Sequence, residues 1–206
     1  MLAFHEEQIR NAKEVEWIGY LSTTGVYGNW DGRQVDEESA LLAISDRAQR
    51  RIHAEGAWLQ IGQATGQNVQ IFRLAGIYGP HRNVIVKIRS GKARRIHKEG
   101  HVFSRIHLKD INATLCLSMN QPIKNEIYNV CDDEPAAQED VVSFACKLLG
   151  VSAPGLTAFT DAAESMSPIA KSFWADSRRV SNKKIKTKLK VVLSYPTYRE
   201  GLQSLI

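Results

Sequence analysis

Cysteine is scarce in this sequence of 206 residues: there are three, Cys116, Cys131 and Cys146. An odd number with no close pair excludes a disulfide framework and a cysteine-built zinc site. Cys116 and Cys146 fall in apolar helical patterns, where free thiols are expected to be buried. Long hydrophobic runs are also missing, and nothing approaches the ~20 apolar residues of a bilayer span. The opening "MLAFHEEQIRNAKEVE" is amphipathic and acidic rather than signal-like. These absences predict a cytoplasmic protein that contacts no membrane. Internal repeats and low-complexity segments are lacking as well.

What is present suffices for one buried core with a small appended lobe, since 43% of the residues are hydrophobic. The net charge of +5 comes from 27 basic against 22 acidic residues. Much of the excess sits in "RSGKARRIHK" (89–98) and "RRVSNKKIKTKLK" (178–190). Such patches attract nucleic acid or anionic ligands. The second run interleaves Val180, Ile185 and Leu189 with its lysines, which predicts a helix with one apolar stripe and a solvated basic face. With no aromatic platform beside the charge, nucleic acid is not expected as a partner.

Periodicity predicts a helix carrying Ile9, Ala12 and Val15, then a short buried strand in "WIGYLS". The Gly-, Asn- and Asp-rich "TTGVYGNWDGRQVDEES" predicts a long loop. Ser45 is the expected N-cap of a helix running to about Gln63, with Asp46 against its positive end. A strand ends at Leu74, after which "GIYGP" is expected to leave regular structure. "NVIVKIRSG" predicts a helix ended by Gly91, and "KARRIHKEGHVFSRIHL" two short strands around a turn at Glu99 and Gly100. The next helix has Ile111, Leu115 and Met119 on one face, with Pro122 beyond its end. "NEIYNV" reads as a strand, and "AQEDVVSFACKLLG" as a helix closed by Gly150. Pro154 and Pro168 are expected in loops, and "YPTYREGLQSLI" in a final helix. This alternation predicts an α/β fold with a parallel sheet, whose ligands bind beyond the strands' carboxyl ends. That directs attention to Ser22–Gly28, Ala75–Arg82 and the acidic turn after Val130.

Three segments in this order, "YLSTTGVYG", "FRLAGIYGP" and "FSRIHLKDINATL" followed by "EIYNVCDDEPAAQEDVV", resemble the extended short-chain dehydrogenase/reductases of the NAD-dependent epimerase/dehydratase family. The resemblance runs from about Trp17 to "YPTYREGL". It implies a Rossmann-like parallel sheet flanked by helices with a small α+β substrate lobe. Residues 1–206 would form one partial NAD(P)-binding unit, with the lobe drawn from 81–105 and 150–190. NAD or NADP would be the cofactor, and a nucleotide-sugar-like small molecule the substrate.

By the same resemblance Thr23 takes the place of the catalytic hydroxyl. A hydroxyl at a strand's carboxyl end can donate to a substrate oxygen, and it can equally satisfy a loop amide. Leu21, Ser22, Thr23, Arg51, Ala75 and Ile77 would face the cofactor; Tyr78, His81, Arg82 and Arg105 would face the substrate. Gly76 stands where the family often has asparagine. Arg73 is expected to be a buried or interfacial ion partner, and Asp110 to cap or anchor the helix that follows it.

In the family the helix after the first strand supplies a tyrosine and, four residues later, a lysine. Counting back from Glu55 puts Arg47 and Arg51 at those catalytic places. A guanidinium stays protonated at physiological pH, so Arg47 cannot accept and return a proton. Arg51 could hold a ribose hydroxyl or an anionic group with its forked donors; alternatively it pairs with Glu55 four residues on, across a solvated face. No GxGxxG or GxxGxxG occurs in the sequence. On the resemblance, an N-terminal portion on the order of 80 residues that carries this turn is expected to be lacking. A homo-oligomer and a complementing N-terminal fragment both stay open as partners, and no metal site is expected.

Overall fold

The structure, a computed structural model, describes residues 2–121 and 123–206. In chain order its elements are α1 (Leu2–Asn11), β1 (Trp17–Thr23), a 3-10 turn (Thr24–Tyr27), β2 (Gln34–Val35), α2 (Asp46–Thr65), β3 (Asn68–Leu74) and β4 (Gly76–Tyr78). There follow α3 (Val84–Arg89), β5 (Arg95–His97), β6 (Arg105–His107), α4 (Leu108–Met119), β7 (Glu126–Val130) and α5 (Gln138–Leu149). The chain closes with β8 (Leu156–Ala158), α6 (Phe159–Glu164), α7 (Pro168–Ala175), β9 (Arg179–Val180), α8 (Lys183–Thr187) and α9 (Tyr198–Gln203).

A parallel sheet of order β1-β3-β7 forms the centre, with α2 and α4 as its crossovers. Parallel neighbours require such crossovers, and Val69, Ile71 and Phe72 in β3 mark the strand covered on both faces. Every residue of β3 is buried. Among the described residues β1 pairs only with β3, and Leu21 is 45% exposed, so β1 is an open edge rather than the buried strand expected. The fold is α/β, a Rossmann-like parallel sheet flanked by helices.

Local chemistry places α2. The Ser45 hydroxyl accepts from the Ala48 amide at 3.3 Å, Asp46 sits in the first turn, and Gly66 ends the helix in the left-handed region with φ of 75°. Close to that end Gly62 lies so near Val69 that a Cβ would meet its side chain at 2.9 Å. The helix therefore packs tightly on the start of β3. Because α2 returns between two parallel strands, its first turn lies at their carboxyl ends.

Several expectations are corrected. α1 stops at Asn11, and Val15 lies beyond the turn at Lys13 and Glu14. The long loop holds the 3-10 turn and β2, which pairs in parallel with β9. "GIY" forms β4 against β6, and β5 pairs with β8, so the two strands around Gly100 do not pair with each other. The basic segment is a short strand and a short helix instead of one long helix, although Val180, Ile185 and Leu189 are all buried as its stripe requires. Pro168 opens α7, where the missing N–H costs no hydrogen bond. Pro122 lies outside the described residues.

On α4, Met119 is 51% exposed and Cys116 is exposed, while Ser118 turns inward. Ser118 accepts from Trp17 Nε1 at 3.0 Å and donates to Gln70 at 2.6 Å, so polar contacts to β1 and β3 set the helix's rotation. Asp110 is not the cap, a place taken by His107; it is fully buried and accepts from the Ser194 and Tyr195 amides at 2.7 and 3.1 Å. It anchors the chain leading to α9.

The main core joins Phe72, Tyr128, Ile106 and Ile185 with the 3-10 turn. Phe72 and Tyr128 stack at 5.7 Å, each burial contributing roughly 1.5–3 kcal/mol. A separate cluster of Ile96, Ala162 and Trp174, flanked by Phe103, Phe159 and Met166, holds β5, β8, α6 and α7 together.

Candidate functional site

The sheet register makes three strand ends finish level. Thr23 lies opposite Leu74, and Leu74 opposite Val130. The Ala75 amide continues the ladder to Val130 O at 3.1 Å, leaving Ala75 buried. Gly76 then bonds across to Ser104 O at 3.1 Å, and its backbone starts β4, where Ile77 is half-buried. A Cβ at Gly76 would meet Ser104 O at 3.2 Å, so asparagine at this place would need the strands to shift.

Thr23 caps the 3-10 turn: its Oγ accepts from the Gly25 amide at 3.1 Å. One of its two lone pairs is thus occupied, and the hydroxyl proton stays available to a ligand. One residue earlier, Ser22 Oγ donates to Glu55 at 2.5 Å. Glu55 also receives Arg73 Nη2 at 2.8 Å, Arg73 Nη1 donates to Tyr27 at 2.9 Å, and Tyr27 donates to Asn129 at 2.7 Å. This chain of bonds ties β1, α2, β3, the 3-10 turn and β7 together directly beneath the strand ends. Burial pushes the Tyr27 hydroxyl up to about 12 despite the Arg73 charge beside it, so it stays a neutral donor. Arg73 is the buried ion partner expected. Its partner Glu55 is 3% exposed, which removes Glu55 from any solvated pairing with Arg51.

Arg51 takes another direction. Its Nη1 donates to the Tyr20 hydroxyl and to the Leu21 carbonyl, each at 3.0 Å, and its guanidinium lies 5.6 Å from the Tyr20 ring centroid. Arg47 and Arg50 are exposed on the first turns of α2. With Tyr20, Asp46 and Arg51 they line an open cavity of about 520 Å³. Sequence reasoning passed over Arg50 and Tyr20. Arg50 is adjacent to Arg51 in the same arginine-rich stretch, and Tyr20 stands three residues before Thr23.

The substrate-side residues divide. Tyr78 is buried, its hydroxyl has no hydrogen-bond partner among the described residues, and burial raises its pKa. Arg105, beside Gly76 in the register of β4 and β6, donates to the Phe103 and Ala136 carbonyls at 2.8 and 3.0 Å. Asp132, past the end of β7, is pushed up to about 8 by burial although the Arg105 charge opposes this. His81 and Arg82 stand exposed in a turn closed by the Gly79–Arg82 bridge. The structure therefore gathers Leu21, Ser22, Thr23 and Arg51 at β1, with Arg47 on the adjoining helix turn. Ala75 joins β3 to β4 and Ile77 lies on β4, Tyr78 is buried and Arg105 half-buried, and His81 and Arg82 stay at the surface. Among the described residues no cluster of three His, Cys, Asp or Glu is placed to hold a metal, and no helix is long and apolar enough to cross a membrane.

Comparison with known proteins agrees with this architecture. No family model matches the chain. Protein YeeZ of Escherichia coli (strain K12) is 28% identical over 143 residues, which are 69% of this chain and 50% of YeeZ. The chain thus spans half the length of the curated relatives it matches. The UDP-glucuronic acid 4-epimerase from Bacillus cereus in complex with NAD superposes with a TM-score of 0.76 at 17% identity, covering 96% of this chain and 62% of the epimerase. That likeness establishes the Rossmann-like epimerase/dehydratase fold. A functionally unknown conserved protein from Silicibacter pomeroyi DSS superposes with a TM-score of 0.91 at 43% identity, covering 99% of this chain and 70% of that protein. With identity and coverage of that order, the chain belongs to the family of this Silicibacter pomeroyi protein.

Proposed function

We propose that the chain serves an NAD(P)-dependent epimerase/dehydratase-like oxidoreductase, holding NAD or NADP and a nucleotide-sugar-like small molecule at the carboxyl ends of β1, β3 and β4. The observation that carries the reading is Thr23: one of its lone pairs is used internally, its proton is available, and it stands level with Leu74 at the end of β3, with Ala75 next in the chain. The residues present fit the nicotinamide and ribose end of such a cofactor. Thr23 would donate to a ligand oxygen, the backbone of Leu21, Ser22, Ala75 and Ile77 would line the ring's pocket, and Arg51 would supply ribose contacts. When bound, the dinucleotide supplies the hydride chemistry. The NAD held by the Bacillus cereus epimerase supports the choice of ligand. Tyr78, His81, Arg82 and Arg105 stand on the side assigned to the substrate.

A specific observation favours a second reading, a binding module without turnover. By the resemblance Arg47 stands at the proton-relay place, and a guanidinium can neither take up nor return a proton near neutral pH. Tyr20, the hydroxyl bonded to Arg51, sits on β1 and not on α2. Calorimetric titration of NAD(H) and NADP(H) into the full chain, followed by nicotinamide absorbance with a panel of nucleotide sugars, separates the readings. Binding with hydride transfer supports the oxidoreductase, and binding without it supports the module. Absence of binding by every dinucleotide and nucleotide sugar overturns both.

A further inference from the structure

Three arginines share the first two turns of α2, and their placement runs against the local electrostatics. The N-terminus of a 20-residue helix carries roughly half a positive charge. Asp46 is the acidic residue in its first turn, against Arg47, Arg50 and Arg51. The side-chain ion pairs among the described residues all lie elsewhere. Basic side chains at this end cost stability, and a solvated helix face needs none of them there. Arg51 is moreover held in place: the Tyr20 hydroxyl and the Leu21 carbonyl accept from the same Nη1, which leaves its other nitrogens free to donate outward. The cavity of about 520 Å³ between these groups is open and lined by Asp46, Arg47, Arg50 and Arg51 with Tyr20. Its size falls within the range of small-molecule sites.

We propose that Arg47, Arg50 and Arg51, with the Tyr20 hydroxyl, form a site for the diphosphate group of a small molecule. The balance of charge sets the class. Three guanidinium groups against one carboxylate leave two positive charges in excess, and the helix terminus adds its own field. A single carboxylate would neutralise only half of that excess. A diphosphate matches it, and its several oxygens accept from several forked donors at once. Thr23 stands at the carboxyl end of the strand that carries Tyr20, so a diphosphate-linked compound could place its other end at the strand termini. The inference deepens the reading above by naming the chemistry of one of its ligands, and it rests on that reading only for the identity of the rest of the molecule.

Inorganic pyrophosphate, titrated into the full chain by calorimetry at low and at physiological salt, is the direct probe. Three proteins are compared: the parent, the double variant Arg47→Gln/Arg50→Gln, and a charge-matched control, Lys183→Gln/Lys188→Gln, at exposed positions away from the cavity. The expected result is saturable binding that weakens at least tenfold in the arginine variant and is unchanged in the lysine control, with identical far-UV circular dichroism for all three. Binding lost equally in both variants would show attraction to net charge alone, and binding lost in neither, or absent from the parent, would overturn the site directly. If dinucleotides fail to bind while pyrophosphate does, the cofactor reading falls and this site stands. If dinucleotides and nucleotide sugars bind equally well to the arginine variant and the parent, this site falls and that reading stands.

Discussion

The two halves of α2 use charge in opposite ways. Toward its middle, Glu55 is 3% exposed, and its carboxylate receives Ser22 and Arg73 within a chain of bonds that ends at Asn129. Toward its start, Arg47 and Arg50 stand in water and form no ion pair among the described residues, with Asp46 the one acid in the first turn of a helix end already positive. The first arrangement holds three strands and a helix in register; the second stores repulsion where a ligand can relieve it. Charge that serves the fold is buried and fully partnered, and charge left exposed and unpartnered is free to bind something else.

The sharpest way to break this comparison is at Glu55. Glu55→Ala leaves the Arg73 guanidinium buried without its carboxylate and the Ser22 hydroxyl without its acceptor. A loss of about 3–5 kcal/mol in urea-induced unfolding is expected. The double variant Glu55→Leu/Arg73→Met removes both charges together and should recover most of that loss, because an apolar pair of similar volume avoids the desolvation cost. A double variant as unstable as the single one would show that the hydrogen-bond chain, not the unpaired charge, dominates.

Asp132 lies between the two extremes, since it is buried but one of its oxygens has no partner. Its carboxyl is raised from the ordinary 3.8 to about 8, chiefly by burial. The folded protein therefore binds this proton more tightly than the unfolded chain does. The associated stability is fully present below about pH 4 and is lost as pH rises toward and through about 8, at up to about 1.4 kcal/mol per pH unit. Asp132→Asn should flatten this contribution to the stability profile between those limits. A parent and variant with parallel profiles across that window would show the carboxyl to be ionised throughout and held by Arg105.

These buried groups also mark where the sequence was legible and where it was not. The order of elements followed from apolar periodicity and caps: Ser45 begins and Gly150 ends a helix through local geometry that needs no partner. Strand partners were less legible. β5 and β6 flank one turn yet each pairs in parallel with a distant segment, because the register is chosen by packing across the sheet rather than by the turn between them. Leu21 and Ser22 alternate on β1 as the pattern predicts, but pattern alone did not tell an edge strand from a covered one. At the candidate site the arginines of α2 could be named from spacing. That Glu55 faces Arg73 and not Arg51 depends on which stripe of the helix meets β3, a tertiary fact. Tyr20 was passed over for the same reason, its cavity being formed by a helix that returns from twenty-five residues later in the chain, at Ser45.

The cap of α2 tests the local end of the comparison at a smaller scale. Ser45→Ala removes the acceptor of the Ala48 amide and should cost about 1 kcal/mol in chemical unfolding, while Ser45→Asp should restore the bond and add a favourable charge. The aspartate variant should also weaken pyrophosphate binding at the neighbouring arginines. A stabilised helix that binds the anion as well as the parent would separate the cap from the cavity.

The smallest expected effect has the opposite sign. Arg50→Gln removes one positive charge from the positive end of α2, and without ligand it should stabilise the fold by about 0.3–1 kcal/mol at low ionic strength. The gain should shrink as salt is added, because the interaction is exposed and screened within about 10 Å at 0.1 M. In the presence of saturating pyrophosphate the order should reverse, since an anion bound to the native state stabilises it in proportion to its affinity, and the variant binds less tightly. Thermal unfolding of parent and variant at low salt, with and without pyrophosphate, reads all of this in one experiment. A crossing of the two stabilities is the signature of charge retained for a ligand at a cost to the fold. Parallel shifts would instead assign Arg50 to the solvated face of the helix.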